Sequence, residues 1–391
     1  MKLLCTGDWH VHQFTDFSKT LTVKWDDKAL RFISVEETED SETREMSSRL
    51  FNILNGICDM RDYCLTNKID NVLMSGDMFH KRANIEVVVF NATYKVLDSF
   101  YNCGITIHAI AGNHDQVDSS QIPVSAIHSF KEIVHVIEKP TCFSIQNESG
   151  DDCVEVAAIP YSKDKQFILD SIEELRTSLG SSANSAILLT HLGVTGGKVG
   201  SGMYVMSDEY SLGDLQYDQW KYVVLGHYHQ PQFLAYNTFY CGTPVQNSFN
   251  DELPWDNGYN GFFVIDTNKR YDAEFIPIVA PRFITVSSAN DLKKYDAEFL
   301  ENNYVRVKAT ADEAENIKGT LEDILGEDNA QDVRLELEKT YETESRSNIG
   351  VATSFSDAVK TYANEKYDKD NKDEVIDVGL SILSEAEVGG N

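Results

Sequence analysis

The sequence predicts an α/β domain built in layers, and three observations predict it. Short apolar runs of strand length, β-branched or leucine-rich, recur from the amino terminus to about residue 230. Helix-like segments separate some of them, as at Ser48 to Thr66 and Ile85 to Tyr101. Each run ends in a polar or glycine-containing turn that bears acids, histidines or asparagine. Alternating strand and helix favours a layered sheet. In such sheets active sites collect at the carboxyl ends of the strands.

The elements follow in order. The first run, Lys2 to Cys5, leads into Gly7, Asp8, Trp9 and His10. From Gln13 to Glu45 the alternation breaks. This polar stretch, with a possible hairpin at "TLTVKWDDKALRFISV", reads as a surface insertion over residues 13–45. "NVLMSGD" from Asn71 is followed by Met78, Phe79 and His80, and "ITIHAIAGNHD" from Ile105 ends in Asn113, His114 and Asp115. "SAILLTH" from Ser185 ends at His191, and "KYVVLGHYH" from Lys221 ends at His227 and His229. A hairpin, "FFVIDTNKRYDAEFIPI", closes a domain expected to span residues 1–280.

The second half changes character. "RFITV" (from Arg282), "YVRVKA" (from Tyr304), "ADEAENIKGTLEDIL" (from Ala311) and "DVRLELE" (from Asp332) predict a small strand-strand-helix-strand domain over residues 281–340. A polar linker covers residues 341–355, and a helical segment residues 356–391. Its two helices run from Ser356 to Tyr367, with Ser356 as N-cap, and from Lys372 to Glu387. In the second, Val375, Ile376, Gly379, Leu380, Leu383 and Ala386 recur at three- and four-residue steps, giving an apolar stripe beside an acidic face. Such a stripe docks either on the chain's own small domain or on a partner.

Of 391 residues, 42% are hydrophobic, an ordinary share for a globular chain, and none of the apolar runs approaches the roughly 20 residues of a membrane span. Met1 leads straight into a strand rather than a basic stretch and an apolar core, so the expected location is cytoplasmic. Seven scattered cysteines without C-x-x-C spacing read as reduced thiols. With 63 acids against 34 bases the net charge is −29. That charge repels polyanions in general, so a nucleic-acid substrate would need to be held by something other than net charge.

Six of the ten histidines stand at the five strand ends. Imidazoles, carboxylates and an asparagine carbonyl together make a nitrogen and oxygen donor set without cysteine. The donors are too many for one tetrahedral ion, and an aspartate can bridge. A two-metal hydrolytic centre needs that arrangement: cations roughly 3.5 to 4 Å apart, lowering the pKa of a water and stabilising charge on a phosphoryl group. Four imidazoles beside two carboxylates favour Mn²⁺ over Mg²⁺, which prefers oxygen shells.

The ordered series D-x-H, GD-x-x-H, GNHD, H and GH-x-H resembles the calcineurin-like metallophosphoesterase superfamily. Within it the chain is similar to the SbcD-type nuclease subunits of DNA double-strand-break repair and recombination, bacterial and phage. "YCGTPVQNSFNDE" (from Tyr240) followed by "GYNGFFVID" resembles the closing segment of that branch. The resemblance is strong from Met1 to Asp266 and weak beyond.

The resemblance implies a layered β-sandwich flanked by helices, with a small α+β capping domain and a C-terminal helical tail. It implies that one metal ion is bound by Asp8, His10, Asp77 and His229, and the other by Asp77, Asn113, His191 and His227, with Asp77 as the bridge. It makes His114 a catalytic residue facing the scissile phosphate, Asp115 the group that orients His114, and His80 a substrate-side helper of the exonuclease reaction. The implied activity is 3′-to-5′ exonuclease on duplex ends and single-strand endonuclease. The implied partners are DNA, a second copy of the chain through the nuclease domain, and an SbcC-type coiled-coil ATPase gripped by residues 356–387. Where the family commonly continues D-x-H with Leu-Gly, this chain has Val11 and His12, and His12 reads as a surface residue.

Two other readings stand beside this one. A phosphomonoesterase or cyclic-nucleotide phosphodiesterase could use the same centre, although "GDMFHKR" breaks the GD-x-V-D-R-G pattern of the superfamily's protein phosphatases. A scaffold that has lost catalysis is the third, and the presence of every expected ligand type argues against it.

Overall fold

A computed structural model of the chain describes residues 1–36, 42–117, 124–147, 150, 152–200, 204–206, 210–253, 258–269, 271–309, 313–325, 334–337, 355–366, 372 and 375–380. The chain divides into two compact units, Met1–Glu336 and Leu337–Asn391.

In the first unit, β1 (Lys2–Thr6) is followed by β2 (Thr20–Asp26), β3 (Arg31–Ser34), β4 (Arg44–Ser47) and helix α1 (Ser48–Asn67). Next come β5 (Asn71–Met74), α2 (Val87–Asn102), β6 (Thr106–Ile110), β7 (His135–Ile137), β8 (Thr141–Gln146), β9 (Cys153–Ile159) and α3 (Lys165–Leu179). Then follow β10 (Ile187–His191), the short hairpin β11 (Lys198–Val199) and β12 (Tyr204–Val205), β13 (Tyr222–Gly226), β14 (Gln232–Ala235), β15 (Thr238–Tyr240), β16 (Gly261–Asp266) and β17 (Ala273–Pro277). Two six-stranded sheets result, ordered β17-β16-β1-β5-β6-β7 and β14-β15-β13-β10-β9-β8. The pairs β1–β5, β5–β6, β9–β10 and β10–β13 are parallel, so their carboxyl ends point the same way within each sheet.

Alternation along the strands explains the layers. Leu3 and Cys5 face inward with Leu73 and Ile110, and meet Val156, Leu189, Val224 and Phe239 of the other sheet. Leu4, Val72 and Ile107 point the opposite way, onto Leu50, Ile53 and Leu97 of α1 and α2. On the far side, Leu188, Val223 and Leu225 pack against Ile168 and Ile172 of α3. A two-residue side-chain period thus gives each sheet one face for its partner sheet and one for helices. The result is a helix-flanked β-sandwich.

The segment after β1 is docked on the body. Its three strands order β3-β2-β4, and Val23, Phe32 and Met46 are buried with α1. Arg61 of α1, almost wholly buried, donates to the carbonyls of Leu30 and Ala29 and to the Ser99 hydroxyl, and pairs with Asp62.

Beyond β17, β18 (Phe283–Val286), the short helices α4 (Ala289–Leu292) and α5 (Ala297–Glu301), β19 (Tyr304–Ala309), α6 (Ala314–Leu325) and β20 (Arg334–Leu337) form a sheet ordered β18-β19-β20 around its own core. The expected strand-strand-helix-strand order omits α4 and α5. These short helices carry the chain across the sheet, so β18 and β19 pair in parallel rather than as a hairpin. This element touches the sandwich: Phe283 N donates to Gln246 Oε1 (2.7 Å), and the Asn52 side chain bonds the Tyr304 hydroxyl (2.7 Å).

In the second unit, α7 spans Phe355–Lys366 and residues 375–380 are helical. Helix α7 starts one residue before the expected cap, so Ser356 lies inside its first turn, within the usual latitude of a helix boundary. A methyl group placed on Gly379 would overlap Val359, so these two helices pack at close approach. Residues 341–354, Leu383 and Ala386, named above for the linker and stripe, lie outside the described residues. Among the described residues no helix is long and apolar enough to cross a membrane, and all seven cysteines are free.

Candidate metal centre

The carboxyl ends of β1, β5 and β6 in one sheet and of β10 and β13 in the other meet at one edge of the sandwich. Backbone bonds continue the β1–β5 pairing past the strands: Asp8 N to Gly76 O (2.9 Å), His10 N to Asp77 O (3.0 Å), Val11 N to Met78 O (2.9 Å). Asp8, His10 and Asp77 hold left-handed backbone conformations, with φ of 52°, 47° and 56°, and His227 has φ of 107°. Non-glycine residues rarely adopt such values, and they cluster where function holds a side chain in place.

The predicted donors converge. Ligand atoms of Asp8, His10 and His229 lie within 4.8 Å of one another, as do those of Asp8, Asp77 and His191. Asn113 Oδ1 is 2.9 Å from His191 Nε2 and 3.3 Å from His227 Nδ1. The Asp8 carboxylate also accepts the His227 N–H (2.9 Å). Two glycines make the approach possible: a Cβ on Gly112 would overlap the Asp77 carboxylate, and one on Gly226 would overlap Ser75 O and crowd His191.

This donor set fits a cationic group. His10 is 2% exposed, and neither of its ring nitrogens has a hydrogen-bond partner among the described residues. Leaving such groups unpaired costs about 1 to 3 kcal/mol each, and the usual resolution is a bound ion or water. His191 Nδ1–H donates to Ser75 O (2.8 Å), so Nε2, facing Asn113 Oδ1 and Asp77 Oδ2 (3.4 Å), would bear no hydrogen in the neutral ring. Oxygen and nitrogen lone pairs that face each other require a proton or a cation between them.

The electrostatics agree. Asp8 and Asp77 are buried. Burial raises Asp8 to about 6, aided by the Asp77 charge and opposed by His191. For Asp77 burial pushes upward too, but His191, His10 and His114 outweigh it and hold the carboxyl well below its usual range. Burial alone would lower His191 and His229, yet facing carboxylates raise both to about 9. For His191 these are Asp77 and Asp8, and for His229 chiefly Asp251. His10, His80 and His227 go the other way under burial and neighbouring imidazoles, His80 to about 4 and His227 to about 3. The pocket draws positive charge to its carboxylates, as a divalent-cation site must.

His80 and His114 stand beside the same centre, and with His10 they form a third convergent group. His114 Nδ1–H donates to His80 O (2.6 Å), which directs Nε2 away from the backbone. The His114 ring stands 4.8 Å from the His10 ring, edge to face. Asp115 was expected to orient His114, and it does not. Its buried carboxylate accepts the backbone N–H groups of Met78, Phe79 and Gly112 at 3.0–3.2 Å, fixing the turns that present Asp77 and Asn113. The backbone amides take up both carboxylate oxygens, and the His80 carbonyl does the orienting. Burial, with Asp77 nearby, raises Asp115 to about 7 against the pull of those amides.

Sequence reasoning missed three participants. Asp251 Oδ1 accepts His229 Nδ1–H (2.8 Å) and so turns Nε2 to the centre. The Ser75 carbonyl does the same for His191. Carboxylates and carbonyls of this kind fix the tautomer and raise the basicity of a metal-binding imidazole. Asp251 sits in "NSFNDE", 22 residues beyond His229, where only an acid in an otherwise buried loop could have signalled it. The third is His12, which is half-buried and stacked on His80.

Three comparisons bear on this geometry. A family profile described as Calcineurin-like phosphoesterase matches residues 1–231. Exonuclease subunit 1 of Enterobacteria phage T4 is 26% identical over 281 residues, 71% of this chain and 68% of that protein. A dimetal phosphatase from Danio rerio superposes with a TM-score of 0.38 at 10% identity, over 67% of this chain and 91% of its own.

Proposed function

The chain belongs to the calcineurin-like phosphoesterase family, and from that premise we propose that it is a two-metal-dependent DNA nuclease, the nuclease subunit of an ATPase-containing end-processing complex. The activity proposed is 3′-to-5′ exonuclease on duplex ends and endonuclease on single strands. The observation that carries the phosphodiesterase reading is His10, buried with neither ring nitrogen in a hydrogen bond among the described residues, inside the convergent donor set. The DNA substrate is supported by the likeness to a phage exonuclease subunit.

In this reading Asp8, His10, Asp77 and His229 would hold one divalent ion, and Asp77, Asn113, His191 and His227 would hold the other. When bound, the ions supply a water activated at neutral pH and positive charge for the phosphoryl oxygens. Asp77 would serve both ions, and the carboxylate of Asp251 and the carbonyl of Ser75 keep His229 and His191 in the tautomers that leave Nε2 free. His114, its Nδ1 hydrogen tied to His80 O, directs Nε2 away from the backbone towards the scissile phosphate, and with a second proton on Nε2 the ring would donate to developing charge or pass that proton to the leaving oxygen. His80, stacked on His114, would stand on the substrate side. Asp115 acts through the backbone turns it clamps.

The domain plan is a nuclease domain over residues 1–280, a capping domain over 281–340 and a linked helical tail. The tail, residues 356–387, grips the coiled coil of an SbcC-type ATPase by a helix-in-groove contact, and a second copy of the chain associates through the nuclease domain. The test is cleavage of 3′- and 5′-labelled duplex and of single strands by the purified chain in Mn²⁺ or Mg²⁺, with and without the ATPase. Metal-dependent release of nucleotides from 3′ ends is expected. Hydrolysis of phosphomonoesters or cyclic nucleotides without any cleavage of DNA would overturn the reading.

A further inference from the structure

The imidazoles that border the metal centre continue outward as a stack. His114 and His80 are stacked with ring centroids 5.7 Å apart, and His80 and His12 with centroids 5.4 Å apart. The extension of the β1–β5 pairing builds the outer step: Val11 bridges Phe79 in parallel and accepts the His80 N–H, so the next residue, His12, lies over the His80 ring. Phe14 braces both rings, 4.8 Å from His80 and 5.0 Å from His12. Beneath Phe14 lies Arg49, its guanidinium 4.0 Å from the ring centre and tied to the carbonyls of Asp16 and Asn247. His12 and Phe14 remain partly exposed while Arg49 is buried, so the open rings sit on a fixed base.

Charge beside this ledge runs against the rest of the chain. Lys81 and Arg82 follow His80 directly, and neither forms an ion pair among the described residues. The outermost ring is therefore a flat, partly exposed face beside the turn that carries these two cations.

We propose that His12, braced by Phe14, is a positioning residue that stacks a base of the DNA strand being cut, while Lys81 and Arg82 take phosphates of that strand. The inference rests on the nuclease reading and deepens it. It also answers how a chain of net charge −29 holds a polyanion. Aromatic stacking tolerates any base and needs no favourable net charge, and two unpaired cations give a local electrostatic contact.

The test uses the full chain and a fluorescently labelled single-stranded oligonucleotide of mixed sequence. Binding is read by anisotropy in EDTA. Cleavage of the same oligonucleotide in Mn²⁺ is read beside hydrolysis of bis(p-nitrophenyl) phosphate, a diester without a base. His12→Ala is expected to weaken oligonucleotide binding about tenfold and to lower the ratio of the two kcat/KM values by a similar factor, and His12→Phe to restore both. Lys81→Ala with Arg82→Ala is expected to reduce the slope of log K against log salt by about 1.4. The proposal is overturned if His12→Ala binds the oligonucleotide as the wild type does. It is equally overturned if both substrates lose rate in proportion, or if His12→Phe recovers nothing, because the ring then only supports His80. A wild-type chain that hydrolyses the small diester but no oligonucleotide overturns the nuclease reading itself, and this inference with it.

Discussion

At the scale of single residues, the roles proposed for His114 and Asp77 separate chemistry from coordination. His114→Ala should abolish cleavage while two metal ions per chain are retained by calorimetry, whereas Asp77→Ala should lose metal and activity together. Loss of metal from His114→Ala would instead assign the convergent group of His10, His80 and His114 to an ion. Asp251→Asn keeps the shape but weakens the hold on the His229 tautomer, and should reduce metal affinity by roughly 10- to 100-fold. Away from the centre, His108 gives a pH signature. Its Nε2–H donates to Asn71 Oδ1 (2.9 Å), so Nδ1 accepts from His135 Nδ1–H (2.8 Å). Burial, then His135, lowers His108 from 6.5 to about 3. The unfolded chain therefore binds a proton below pH 6.5 that the folded chain refuses until about 3. This contribution is full above 6.5 and declines as pH falls towards 3, by about 2 kcal/mol between pH 7 and 5. Urea unfolding at the two pH values should show that loss, and His108→Leu should show a loss smaller by about that amount.

At the scale of elements, the three-stranded segment after β1 depends on Arg61. Replacing it with Leu removes the donor to the Ala29 and Leu30 carbonyls and to the buried Ser99 hydroxyl. Urea unfolding of Arg61→Leu should show a loss of about 2 to 4 kcal/mol, and a change under half a kcal/mol would mean that the segment is not part of the cooperative unit. This docking was hidden in the sequence, because Val23, Phe32 and Met46 are scattered among charged residues and only α1 brings them together. The five strands that end in donors were legible for the opposite reason: each is a continuous apolar run stopped by a polar turn. Strands β7 to β9 and helix α3 lack that contrast and leave no such mark in the sequence. Nor could spacing reveal that Asp8, His10 and Asp77 take left-handed conformations, or that a carbonyl such as that of Ser75 orients a ring. Those facts belong to the paired backbone and have no residue type of their own.

At the scale of the whole molecule, charge and the second unit set the remaining expectations. The imidazole-rich centre should work better with Mn²⁺ than with Mg²⁺, and equal or higher rates in Mg²⁺ alone would refute that reading of the donors. Truncation after residue 350 should leave the Mn²⁺-dependent nuclease rate of the isolated chain within about twofold and abolish co-purification with the ATPase. Leu380→Asp with Leu383→Asp should do likewise, since an unpaired charge in an apolar contact costs several kcal/mol. Gly379 already packs on Val359, so part of the stripe serves the helical pair itself, and the partner would meet what that packing leaves open.

The donors come from both halves of the sandwich: Asp8, His10, Asp77 and Asn113 from one sheet, His191, His227 and His229 from the other. A cation seated among them would be a rivet through two plates otherwise fastened by apolar contact and by a few hydrogen bonds, such as His227 N–H to Asp8 and His191 Nδ1–H to Ser75 O. Drawing the rivet out should loosen the plates at one rim only. Hydrogen exchange after chelation is expected to quicken at the carboxyl ends of β5, β10 and β13, while their amino ends, deep in the inter-sheet core, keep their protection.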